Sequence, residues 1–133
     1  MQTVIINQRF SKAERLCSKK IIEAVIEQGD SLYSHLFRAI FLVNPSHPMP
    51  SPAQVAFSVP KRGFRHAVSR NLLKRRMREA YRKNKHLLYQ SLAEKESTMA
   101  MIIVYRQNTI ADYTAIEAAT IDLVKKLGEV LSK

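Results

Sequence analysis

The sequence predicts an α+β fold: a single-domain, two-layer α/β sandwich with its elements in the order α-β-β-β-α-β-α. Three observations predict it. Apolar stretches of strand length occupy 36–43, 55–59 and 100–105. Apolar stripes at helical spacing run through the early residues up to Gly29 and again from Tyr113 to the end. Between the second and third of the long strands lies an amphipathic, highly charged segment that only a helix can sort into two faces. The chain has 133 residues, 46% hydrophobic and 25% charged, which suits one folded domain over 1–133 with a core from about 10 to 131.

The elements follow in order. Ser11 and Glu14 form a capping-box pattern at a helix start. Leu16, Ile21, Ile22, Val25 and Ile26 continue an apolar stripe as far as Gly29, which stops the helix. A short strand near Ser31–Tyr33 is weakly signalled. Leu36 to Val43 reads as a buried strand, rich in aromatic and aliphatic side chains. Four of the five prolines fall in 44–52, which makes that stretch a loop. Val55, Phe57 and Val59 alternate with Ala56 and Ser58, and Pro60 ends the strand. Ala100 to Tyr105 is another apolar strand. Ile116, Ala119, Leu123, Leu127 and Leu131 then keep helical spacing behind a cap at Asp112 or Thr114. No internal repeat is present.

Charge is the unusual feature. Twenty-two Lys and Arg stand against eleven Asp and Glu, a formal net charge of +11. Segment 61–86 alone holds eleven basic residues and one acid, Glu79, so the rest of the chain is nearly neutral. A surplus kept for solubility would be spread over the surface; this one is local and marks a surface for a polyanion.

On a helical wheel of residues 68–88, Leu73, Met77, Ala80, Tyr81, Leu87 and Leu88 fall on one face, within about 120°. Asn71, Lys74, Arg75, Arg78, Arg82 and Lys85 gather opposite them. Like charges at i,i+4, as in Lys74–Arg78 and Arg78–Arg82, each destabilise a helix by a few tenths of a kcal/mol, about 0.2–0.5. Phosphates would remove that repulsion. Arginine outnumbers lysine seven to four across 61–86, which suits bidentate phosphate contacts. A membrane-surface helix would leave its apolar face free, whereas this stripe is the size of a core contact.

Several classes are excluded on counts. A single cysteine, Cys17, forms no internal disulfide and no Cys-based zinc site, which places the chain in a reducing cytoplasm. The longest apolar run, Met99–Tyr105, has seven residues, against roughly 20 for a membrane span. The N-terminus shows no basic-then-apolar leader pattern. Three glycines make no phosphate-binding loop. The acids lack metal-ligand spacing, and His35, His47, His66 and His86 are isolated, so no protein-borne acid–base pair or metal site is expected.

The string AVSRNLLKRRMREAYR over 67–82 resembles the signature of the bacterial ribonuclease P protein subunit. The family pattern is matched by Ser58-Val59-Pro60-Lys61-Arg62, by Ala67-Val68-Ser69-Arg70-Asn71-Leu72-Leu73-Lys74-Arg75 and by Arg78-Glu79. Arg15-Leu16, the helix end at Val25–Gly29, Phe37 and the strand 102–106 also fall where the family has them. Leu72 departs from the pattern by replacing the second Arg of an Arg-Asn-Arg triplet, so that its phosphate contact is lost or supplied by Arg76. Ile22 and Ile26 stand where aromatic residues often line the family's cleft. Pro60 replaces a small polar residue, and the link from Arg62 to Ala67 is a residue longer than in some members.

The resemblance implies a left-handed β-α-β crossover through the basic helix, against the right-handed connection found in about 98% of cases. It also implies a protein that does not itself cleave RNA. The RNA subunit is the catalyst, with bound magnesium ions, and the protein holds that RNA and the 5′ leader of precursor tRNA. For the RNA subunit the implied residues are Lys61, Arg62, Arg70, Asn71, Lys74, Arg75, Arg78 and Arg82. For the leader cleft they are Ile22, Ile26, Arg38, Ile40 and Ser58. No cofactor is expected on the protein itself, and neither a membrane nor DNA is expected as partner. A structural RNA-binding protein, such as a ribosomal component or an RNA chaperone, would share the basic helix and small sheet. A helix-turn-helix DNA binder is disfavoured by the strands on both sides of the basic helix.

Overall fold

The structure, a computed structural model, describes residues 9–133. The N-terminal residues read above for a leader pattern lie mostly outside this range. The elements are a 3₁₀ turn at Lys12–Glu14, α1 (Lys19–Gln28), β1 (Asp30–Tyr33), β2 (Phe37–Val43), β3 (Ala53–Ser58), α2 (Ala67–Glu94), β4 (Met99–Tyr105) and α3 (Tyr113–Leu131). The fold is α+β in the expected order, and the weakly signalled strand at Ser31–Tyr33 is present as β1.

The four strands form one sheet in the order β1-β2-β4-β3. β1–β2 and β2–β4 pair antiparallel, and β3–β4 pair parallel. A parallel pair needs a long connection, and α2 provides it. Alternation along the strands divides the side chains between two faces. Phe37, Ala39, Phe41, Val55, Met101, Ile103 and Tyr105 join the main core with the apolar stripes of α2 and α3. Ile40, Leu42, Ala56, Ala100 and Ile102 face the other way, where α1 brings Ile21, Ile22 and Val25 onto them.

α2 and α3 lie side by side and run in the same direction. Contacts climb in step along both, from Arg76 on the Ala111 carbonyl (2.7 Å) through Asn84 on Glu117 (3.3 Å) to Ser91 beside Gly128. Asp112 caps α3 by accepting from the Ala115 N–H at 2.8 Å. α2 extends past the expected Leu88 to Glu94 because no breaker intervenes and Leu92 is fully buried.

The first helix begins later than its sequence pattern implies. Ser11 precedes only the 3₁₀ turn, and α1 starts at Lys19, where Ser18 Oγ accepts from the Ile21 N–H at 3.4 Å. The cause is the sheet. Arg15 bridges to Val55, and the Leu16 N–H donates to the Val55 carbonyl at 3.1 Å. Backbone groups engaged by a strand edge are not available to a helix. The chain therefore wraps around the outer edge of β3. Phe10 packs edge-on against Phe57 and Tyr81 on the α2 side (centroids 5.8 Å), while Leu16 joins the α1 side.

Candidate nucleic-acid interface

The candidate interface begins in the turn ahead of α2. Lys61 and Arg62 are exposed there, followed by Gly63 and the buried Phe64. Arg70, in the first turn of α2, reaches back to the carbonyls of Phe64 (2.7 Å) and Arg65 (3.2 Å). It staples the turn to the helix, so one nitrogen of its guanidinium is engaged within the protein.

Asn71, Arg75, Arg78 and Arg82 follow at intervals of four, three and four residues, which keeps them on one stripe of α2; Lys74 lies beside it. Asn71, Arg75 and Arg78 are exposed, and Lys74 and Arg82 are half-buried. The repulsion in the stripe is partly relieved by its one acid. Glu79 accepts from Arg82 at 2.6 and 2.9 Å, with Lys83 at 4.0 Å. The Arg82 hydrogen bond holds the Glu79 carboxyl below its ordinary range and raises Arg82 in turn.

Two sequence expectations are corrected here. Lys85, placed by the wheel on the cationic face, is buried at 1% exposure. Its ammonium donates to Glu14 at 2.5 Å and to the Arg9 carbonyl, because the N-terminal segment covers this part of α2. Tyr89 donates to the same Glu14 carboxylate, and the Ser11 N–H and hydroxyl bond it at 3.0 Å each. Burial raises the Glu14 pKa, but the hydrogen bonds from Lys85, Tyr89 and Ser11 outweigh it, and the net shift is downward. Arg76 does not replace the arginine missing at Leu72, because its guanidinium is turned to the Ala111 carbonyl at the start of α3.

The buried pair also brings in a group that sequence reasoning missed. Arg9, Phe10 and Ser11 line a depression of about 570 Å³ together with Arg75, Arg78, Arg82 and the Arg82-paired Glu79. Arg9 lies 66 residues from Arg75 in the chain, and no local pattern connects them.

The residues expected in the cleft divide into two groups. Ile22 and Ile40 meet in the α1 cluster. Ile26 is 62% exposed on α1 and belongs to neither core cluster. Arg38 and Ser58 lie one row further along the same sheet face, both in register with Val104. Tyr33, the partner of Arg38 on β1, completes that row and is 51% exposed. The Arg38 and Arg106 guanidiniums lie 5.9 and 4.7 Å from its ring centroid. Arg38 also donates to Ser31 Oγ at 3.1 Å, and Arg106 to the Ser34 carbonyl at 3.1 Å. Tyr33 and Arg106 were not singled out from the sequence; an aromatic residue in a short, weakly signalled strand was the only hint.

Among the described residues no group of three or more His, Cys, Asp or Glu is placed to hold a metal ion. No helix among them is long and apolar enough to cross a membrane.

Fold and surface together define a small α+β protein with a concentrated cationic helix on one side and a partly open sheet face on the other. The family model described as Ribonuclease P matches residues 10–128. The ribonuclease P protein component of Porphyromonas gingivalis is 35% identical over 112 residues, 83% of this chain and 80% of that protein. The component of Chlorobium phaeobacteroides is 39% identical over 93 residues, 68% and 64% of the two chains. In fold, the ribonuclease P protein of Staphylococcus aureus matches with a TM-score of 0.67 at 21% identity, covering 90% of this chain and 99% of that one. The Thermotoga maritima protein gives 0.66 at 21%, with 85% and 96% covered. The chain belongs to the bacterial ribonuclease P protein family. It is thus a component of an endoribonuclease complex.

Proposed function

We propose that this protein binds the catalytic RNA subunit of ribonuclease P through α2 and the 5′ leader of precursor tRNA along the sheet face beside α1, assisting removal of the leader. The observation that carries this reading is the stripe of Asn71, Arg75, Arg78 and Arg82, widened by Lys74 and Arg9 and preceded by Lys61 and Arg62. Its like charges repel one another until phosphates neutralise them.

The sheet face supplies different chemistry. Tyr33 offers a ring to stack on, and Arg38 and Arg106 place positive charge beside it. Unstacked bases of a single strand use this combination. Ser58 lies across the row as a hydroxyl donor, Ile22 and Ile40 form an apolar wall beside α1, and Ile26 stands exposed on α1. The chemistry of cleavage belongs to the RNA subunit with its magnesium ions, in the cytoplasm. The protein's share is electrostatic: a positive helix between two polyanions lowers the magnesium needed to bring them together.

The test is reconstitution. Adding the protein to a bacterial ribonuclease P RNA should give cleavage of precursor tRNA at the mature 5′ end at low magnesium, where the RNA alone is slow. RNA binding without any gain in processing would point instead to a structural RNA-binding protein or an RNA chaperone. Cleavage by the protein alone, abolished by chelator, would overturn the reading.

A further inference from the structure

Residues 9–20 carry five basic groups, Arg9, Lys12, Arg15, Lys19 and Lys20, against one acid, Glu14. Glu14 is buried on Lys85, so its charge is already matched. A whole-chain count hides this second concentration because acids elsewhere cancel it.

Lys12, Arg15 and Lys20 line a groove of about 560 Å³ between the 3₁₀ turn, the start of α1 and the proline loop. All three are exposed, no carboxylate lines the groove, and among the described residues none of the three has an ion-pair partner. The walls are apolar at Ile21, Pro48 and Pro50. The groove lies on the α1 side of the sheet, away from α2 and from the row of Tyr33, Arg38 and Ser58. Gln54, which helps line it, sits four residues along β3 from Ser58 on the same face. It is nonetheless continuous with the α2 surface. Arg9, Phe10 and Ser11 line the arginine depression on α2, and Lys12, Ala13, Arg15, Cys17, Ser18 and Lys20 line the groove, so one continuous stretch of chain around the outer edge of β3 borders both.

We propose that this groove holds a single-stranded segment of the RNA subunit, continuing around the β3 edge from the stretch bound on α2. The phosphates would lie on Lys12, Arg15 and Lys20, and unpaired bases against the proline rings and Ile21. Continuity with the α2 surface selects the RNA subunit over the leader as occupant. The proposal rests on reading α2 as the RNA-subunit surface.

The experiment measures binding of the RNA subunit against salt for the full chain, for the triple variant Lys12→Gln/Arg15→Gln/Lys20→Gln, and for the α2 variant Arg75→Ala/Arg78→Ala. With a single-strand slope of roughly −0.7 per phosphate, the triple variant should lose about 2 units of slope, with its circular dichroism and melting unchanged. A wild-type slope in the triple variant beside a reduced slope in the α2 variant overturns the groove and leaves the α2 reading standing. Wild-type slopes in both overturn both. A defect confined to leader-bearing substrate shows the leader as occupant and overturns the proposal as stated. Cys17, exposed and lining the groove, is the chain's single cysteine, so iron-EDTA tethered there to the otherwise unaltered protein gives an independent readout. Hydroxyl-radical cuts in a single-stranded segment of the RNA subunit are expected, and their absence overturns the proposal.

Discussion

Glu14 and Lys85 are joined across 71 residues of sequence and nearly removed from solvent. Such a pair stabilises little against an apolar alternative, but breaking it leaves a buried charge alone, at about 3–5 kcal/mol. Glu14→Gln should therefore lower stability by about that amount at neutral pH. The pH profile follows from the lowered Glu14 pKa. Its contribution is fully present above the ordinary carboxylate pKa and is lost as pH falls through the lower folded value. The difference in urea midpoint between wild type and Glu14→Gln should be largest from neutral pH down to about 5 and shrink toward pH 3. A difference independent of pH would show that the carboxylate charge is not what holds the segment.

At the scale of elements, α1 is positioned by its last contact with β2. Gly29 has an ordinary φ of −74°, so space and not backbone freedom requires glycine there. A Cβ would run into the Val25 carbonyl and meet the Phe41 carbonyl at 2.8 Å, both backbone atoms. Gly29→Ala should cost about 1–3 kcal/mol in thermal unfolding, and an unchanged melting temperature would mean that α1 is not pressed against β2. α2 illustrates the opposite constraint: its apolar stripe fixes it and its outer stripe is strained by charge. Arg75→Ala/Arg78→Ala should flatten the dependence of RNA binding on log salt by roughly 1 to 2 units. Its processing defect should be largely rescued by extra magnesium; a defect that magnesium does not touch would argue against a screening role.

At the scale of the molecule, the two sides of the sheet should separate by function. Tyr33→Ala with Arg38→Gln removes the stacking ring and one of its cations without entering either core cluster. Base stacking is worth about 1–3 kcal/mol per base. Binding of a precursor with a long leader should fall by about tenfold or more, while binding of a leaderless substrate and of the RNA subunit stays near wild type. Equal loss on both substrates would show that this row does not read the leader. Ile40 is the poorer probe, since it packs in the α1 cluster and its loss would also move α1.

Wherever periodicity acts over neighbouring residues, the sequence alone determined the outcome. The strands, the α2 stripe from Leu73 to Leu88, a cap at Asp112 or Thr114 and the concentration of charge in 61–86 are all set by contacts within a few residues or by composition. Arg38 and Ile40 sharing a face follows from strand alternation alone. Tertiary structure decided what depends on segments distant in the chain. It delayed the start of the first helix to Lys19, because Arg15 and Leu16 give their backbone groups to β3. It withdrew Lys85 from the cationic face by supplying Glu14, turned Arg76 to the Ala111 carbonyl rather than to the place left by Leu72, and added Arg9 from the N-terminal segment. It also brought two guanidiniums to the Tyr33 ring, one from β2 and one from just past β4. A helical wheel assigns a side chain its direction, but whether it meets solvent or a partner is fixed only when the rest of the chain packs against it.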